Sequence, residues 1–178
     1  MANALILAEL SAWGVPGMLD RDKAKIIKES KIGVELTDEQ CEVLCDLVDV
    51  SEYADGDVVV PEGAKDDHLR IVLSGALAVA KQSMDDEWVR LNVLTAGDLA
   101  GELAFLDSRP RYAALVALGP TTLFSLQRAK LESLLNRDPL IVYRVMRAIA
   151  RFAHEVLHRS GAQMAELTAY VFKTKAKY

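Results

Sequence analysis

The chain has 178 residues, 51% of them apolar, and a formal net charge of -5. That length suits one domain with a real core and some additional helix. The apolar share excludes a chain dominated by disorder, and the negative charge gives no global reason to expect a nucleic-acid partner. The first apolar stretch, MANALILAEL, lacks a basic leader and is interrupted by Glu9, so a cytoplasmic location with no membrane span is expected.

In chain order, Ala4 to Trp13 predicts a short amphipathic helix closed by Gly14-Val15-Pro16-Gly17. Asp20 to Lys31 is a second, basic helical stretch. Thr37 followed by Gln40 reads as a capping box opening a third helix, with apolar residues at Cys41, Val43, Leu44, Leu47 and Val48. Cys41 and Cys45 lie on one side of it. Two thiols cannot close a zinc or iron–sulfur site, so no metal is expected and the pair reads as reduced thiols, Cys45 half-buried.

After Tyr53 the texture changes. Short β-branched runs alternate with glycine punctuation: Val58 to Val60, Leu69 to Leu73, Ala76 to Ala80, Trp88 to Leu94, Ala113 to Val116 and Thr122 to Leu126. Turns are read at residues 54–57, 61–63, 74–75, 96–98 and 119–120. Short strands at such spacing indicate a barrel or roll. Helical periodicity returns at Ala129 to Leu135, stops before Pro139, and resumes from Leu140 to about Val171. Val142, Val145/Met146, Ile149, Phe152/Ala153 and Val156 form a near-heptad stripe on that last helix. The expected organisation is an N-terminal helical extension over 1–33, a β-roll over 34–139, and a long helix with a basic tail over 140–178.

One segment carries chemistry: Gly101-Glu102-Leu103-Ala104-Phe105-Leu106, then Asp107-Ser108-Arg109, then Pro110-Arg111-Tyr112-Ala113-Ala114. A glycine opens a short helical turn whose free N–H groups favour an anion. Arg111, fixed by Pro110, adds a planar charged fork suited to phosphate oxygens. The carboxylate of Glu102 is misplaced beside an anion unless it accepts a hydrogen bond from a hydroxyl of the same ligand. Phosphate with an adjacent sugar hydroxyl describes a nucleotide.

This segment resembles the phosphate-binding cassette of the cyclic-nucleotide-binding (cNMP-binding) family, to which the catabolite activator protein and the regulatory subunit of protein kinase A belong. Gly56-Asp57, Glu62-Gly63, Asp67, Leu73-Ser74-Gly75 and Gly97-Asp98 fall at the family's turn positions. The resemblance implies a double-stranded β-helix (β-roll, jelly-roll-like) with N-terminal helices and a long C-terminal helix. It implies cyclic AMP or cyclic GMP as ligand, Arg111 on the cyclic phosphate and Glu102 on the ribose 2′-hydroxyl. Gly101, Leu103, Ala104 and Ala113 would line the pocket, and Val72 and Leu73 would face the purine. Tyr112 stands where the family places a small residue; it either stacks on the base or fills its space. On the long helix the base would lie near Val156 and Leu157, with His158 and Ser160 the nearest polar side chains.

The Gly-x-Ser-x-Gly and Walker patterns are absent from the sequence, His154 and His158 read as helix-surface residues rather than metal ligands, and no enzymatic activity is expected. A regulatory sensor that signals through an unidentified protein partner or its dimer state fits best. A nucleotide-blind dimerisation or scaffold module with a degenerate pocket is the alternative, in which Glu102 and Arg111 form only a structural salt bridge. A DNA-binding regulator is the third and least favoured reading, since no helix-turn-helix is expected in the residues that follow the long helix. Homodimerisation is expected through that helix, on the view that Ile149, Phe152 and Val156 exceed what the roll covers.

Overall fold

The computed structural model describes residues 20–83, 85 and 88–175. The helix expected over Ala4 to Trp13 lies outside them. Helix α1 (Asp20–Glu29) leads through a 3-10 turn (Gly33–Glu35) to α2 (Asp38–Cys45). Strands β1 (Val48–Tyr53), β2 (Val58–Val60), β3 (His68–Gln82), β4 (Trp88–Thr95) and β5 (Leu99–Ala100) follow. Then come α3 (Glu102–Asp107), β6 (Ala114–Gln127), α4 (Arg128–Glu132) and α5 (Pro139–Lys175).

The sheet has the order β1-β6-β3-β4, with β2 added to β6 and β5 to β3, and every described pairing is antiparallel. The jelly-roll expectation holds, with two differences in how the chain builds it. Val48–Tyr53 is a strand rather than the tail of a helix. Its alternation of Val48 and Val50 with Asp49 and Ser51 is a period of two, paired residue by residue to β6. The runs read as four separate short strands are instead two long ones, β3 and β6, paired over most of their length.

Gly75 and the pair Gly119-Pro120 are therefore bends inside strands, not turns between them. Gly75 has φ +76°, and a Cβ there would lie 2.3 Å from the carbonyl oxygen of Pro120. The β3–β6 register shifts on both sides of Ser74. A bulge changes which face later side chains occupy. Leu69, Ile71 and Leu73 accordingly join one core, whereas Leu77 joins another with Val72, although simple alternation would place Leu77 beside Leu73.

The first core contains Phe124 and Leu126 of β6, Ile27 of α1, Leu44 of α2, and Ile141, Val145 and Ile149 of α5. The second contains Val60, Leu94, Leu115 and Leu123. Thr37 caps α2 in a reciprocal capping box with Gln40, as its sequence predicts. Cys41 and Cys45 are both buried, Cys45 more fully than expected, and neither is in a disulfide. Burial pushes the Cys41 thiol up to about 11, so it remains protonated at neutral pH.

Helix α5 starts at Pro139 itself, one residue before the expected start. Proline is well suited to a first helical position, where its missing N–H has no intrahelical acceptor to lose. Asp138 Oδ1 accepts from the Ile141 N–H at 3.3 Å. The helix runs unbroken through Gly161. Val142, Val145, Ile149 and Phe152 are buried against the same chain. The expectation that Ile149 and Phe152 are left exposed is thus corrected: the roll and the preceding helices cover them. Glu35 of the 3-10 turn ties down the same half of α5 through Arg147 at 2.5 Å and through Arg151. Among the described residues no helix is long and apolar enough to cross a membrane.

Candidate functional site

All seven residues singled out from the sequence, Gly101, Glu102, Leu103, Ala104, Arg111, Tyr112 and Ala113, line one cavity of about 590 Å³. Its floor is α3 and the segment before β6. Its walls are Val79 of β3 and Leu91, Asn92 and Leu94 of β4, and its roof is the part of α5 from Phe152 to Gln163. Val72 and Leu73 do not line it. Both are buried in the two cores, and the bulge at Gly75 hands the wall position to Val79.

Arg111 is only 5% exposed, an uncommon state for a permanent cation. Its Nε donates to Asp66 Oδ2 at 3.1 Å and its Nη2 donates to the same oxygen and to the His68 carbonyl at 2.6 Å. Its Nη1 is buried without a hydrogen-bond partner. Gly101, with φ +83°, sits directly against this nitrogen: a Cβ built there would lie 1.8 Å from Nη1. Glycine is required twice over, by the left-handed backbone and by the guanidinium. Backbone bonds fix the segment further, since the Arg111 N–H donates to the Ala64 carbonyl and the Gly63 N–H donates to the Arg111 carbonyl.

Asp66 is held by two guanidinium groups. Arg70 donates to its Oδ2 at 2.5 Å and to its Oδ1 at 3.4 Å. Burial pushes the Asp66 carboxyl upward, but the hydrogen bonds and charges of Arg70 and Arg111 together outweigh it and set the group at about 2. The carboxylate is ionised at any ordinary pH. Asp66, Asp67 and His68 lie within reach of a common ion, yet both Asp66 oxygens already accept from arginine.

Glu102 is half-buried at the start of α3. Burial pushes its carboxyl up, opposed by hydrogen bonds from its own N–H and that of Gly101 and by the charge of Arg111. It is not the ion-pair partner of Arg111; Asp66 takes that place. Tyr112 is 70% exposed on the rim, with Lys81 Nζ 4.1 Å from its ring centroid and bonded to its carbonyl oxygen at 3.1 Å. Lys81 also pairs with Glu62 at 2.7 Å, which anchors this corner. Leu103 is exposed, whereas Ala104 and Ala113 are buried. On α5 the cavity meets Val156, Arg159, Ser160 and Gln163, but neither Leu157 nor His158.

Sequence reasoning missed Asp66 and Arg70. A signal was present: Arg70 interrupts the apolar run from Leu69 to Leu73, and a charge at a buried strand position demands a partner. The carboxylate four residues earlier supplies it.

The cyclic nucleotide-binding domain family matches residues 50–138, half of the chain. A cyclic nucleotide-binding domain from Methylobacillus flagellatus KT superposes with a TM-score of 0.73 at 22% identity, covering 83% of each chain. The N-terminal domain of a transcriptional regulator from Streptomyces coelicolor A3(2) gives 0.66 at 29% identity, covering 74% of this chain and 94% of that one. The catabolite activator protein of Thermus thermophilus gives 0.64 at 24% identity, over 78% of this chain and 63% of that one. The first and third speak for the fold alone.

Proposed function

The chain belongs to the cyclic nucleotide-binding domain family, and from that premise we propose that its cavity binds cyclic AMP or cyclic GMP and serves as a regulatory sensor, not an enzyme. The observation that carries this reading is the unsatisfied Nη1 of Arg111. A buried N–H without an acceptor is costly, and a ligand oxygen would remove the cost. The cyclic phosphate is assigned to Arg111 and to backbone N–H groups at the start of α3, with Gly101, Leu103, Ala104 and Ala113 shaping that floor. Glu102 would accept from the ribose 2′-hydroxyl, and its half-buried place beside the arginine suits a hydroxyl. The base would then point toward Val156, Ser160 and Gln163, away from Tyr112. A regulatory role has support from the relatives, one of which is described as part of a transcriptional regulator.

The same reading includes a homodimer through α5, on a seam that shares only Met146 and Ala153 with the stripe legible in the sequence. Tyr143, Met146, Ala150, Ala153, Leu157, Ser160 and Met164 follow a strict heptad on the face turned away from the core. Leu157 is 71% exposed and Met164 65%. A parallel pair of helices would cover both, and the seam meets the cavity at Ser160. We assign the working location to the cytoplasm. The downstream protein partner is open, and no feature of the site calls for DNA.

Calorimetric titration of the protein with each cyclic nucleotide tests the reading. Saturable binding by at least one is expected. Absence of binding of both at millimolar concentration would leave a nucleotide-blind scaffold.

A further inference from the structure

Arg70 occupies a position where β3 otherwise buries apolar side chains, between Leu69 and Ile71. It is 8% exposed, lies outside the cavity lining, and shares both acceptors of Arg111: Asp66 Oδ2 and the His68 carbonyl. The cluster around Asp66 therefore contains two permanent cations and one carboxylate, with the half-buried Glu102 carboxylate beside Arg111 on the cavity side. His68, the other titratable group on Asp66, stands 2.9 Å from its Oδ1 and 3.1 Å from Asp67 Oδ1. Without Arg70, Asp66 alone would neutralise Arg111, and with Glu102 beside it the floor of the cavity would be one positive charge poorer toward an anion. Without the fork from Arg70, Asp66 would also be free to turn its second oxygen toward Arg111.

We propose that Arg70 is a positioning residue for the anion end of the site: it engages Asp66 so that Arg111 keeps its free Nη1 and is not neutralised by Asp66 alone. This rests on the cyclic nucleotide reading and adds to it a residue that never touches the ligand. Guanidinium charges a few ångströms apart in a largely buried cluster influence one another strongly, so the consequence is measurable.

The test is a charge cycle on the full chain, titrated with cyclic AMP and cyclic GMP, with a thermal melt on each variant. Arg70→Met is expected to weaken both nucleotides by about tenfold or more and by the same factor, because the cluster lies at the phosphate end. Adding Asp66→Asn to Arg70→Met restores the net charge while keeping an acceptor for Arg111, and should recover most of the loss. Asp66→Asn alone leaves both cations and should tighten binding. Should Arg70→Met fail to fold, Arg70→Lys decides: it keeps the charge without the fork and should stay closer to the unmodified affinity than Arg70→Gln. A merely structural Arg70 predicts no rescue by the second substitution, and that result, or unchanged affinity in Arg70→Met, overturns the proposal. Failure of the unmodified protein to bind either nucleotide removes the underlying reading and this inference with it.

Discussion

At the floor of the cavity Arg111 is nearly sealed from solvent, its guanidinium fixed by Asp66 and the His68 carbonyl, with Gly101 packed against the remaining nitrogen. At the roof, every described residue of α5 from Leu157 to Glu166 is exposed. The same helix is buried and ion-paired over its first turns, through Val145, Ile149 and Phe152 and through Glu35. The contrast teaches where the site is complete. The floor is assembled by one chain around a buried cation, while the roof presents a helix with an apolar seam and exposed side chains. Fixed charge placement at the floor would suit the proposed cyclic phosphate, and an exposed helix at the roof would suit the proposed regulatory response.

The largest effect expected on this contrast comes from the floor. Arg111→Ala should cost about 2–4 kcal/mol of nucleotide binding, the range for removing one partner of a buried charge pair. Isothermal calorimetry reads it directly, and a loss below tenfold would mean that the phosphate is held elsewhere.

The second effect is on stability. The Asp66 carboxyl stands at about 2, below its value of about 3.9 in an unfolded chain. A depressed folded value contributes stability that is fully present above pH ~4 and disappears as pH falls through ~2, on the order of 2 kcal/mol. Urea melts between pH 7 and pH 2 should show that acid limb, and Asp66→Asn should flatten it. Equal acid loss in both proteins would place the limb on other carboxylates.

At the roof, Leu157→Glu sets two carboxylates facing each other across the proposed seam. It should raise the dimer dissociation constant by about tenfold or more, near 1.4 kcal/mol. Light scattering at tens of micromolar follows it, and a monomeric unmodified protein would end the dimer reading.

The smallest change is expected on the rim. Tyr112→Ser removes an exposed ring under Lys81 and should alter nucleotide affinity by less than about 0.5 kcal/mol. Tighter binding would mean that the ring enters the base space in solution, and a loss of about 1 kcal/mol would mean that it stacks on the base.

Much of this was determined by sequence alone, because local chemistry was sufficient. The residues Gly101 to Ala114 announce a helical turn and a fixed arginine, and the chain delivers all seven named residues to one cavity. The Thr37–Gln40 box and the helix after Asp138 are likewise local matters of capping. Tertiary structure decided the rest. Gly75 and Gly119-Pro120 look like turns, and only the pairing of β3 with β6 makes them bends, since a glycine's φ does not reveal whether the chain reverses. The partner of Arg111 is Asp66, 45 positions away, chosen over the nearer Glu102 by a fold that brings the start of β3 beside the cassette. On α5 the sequence holds two apolar stripes offset by one residue, about 100° around the helix, and periodicity cannot rank them. Packing on the roll buried Val142, Val145, Ile149 and Phe152, and so left Tyr143, Met146, Leu157 and Met164 as the face available to a second chain.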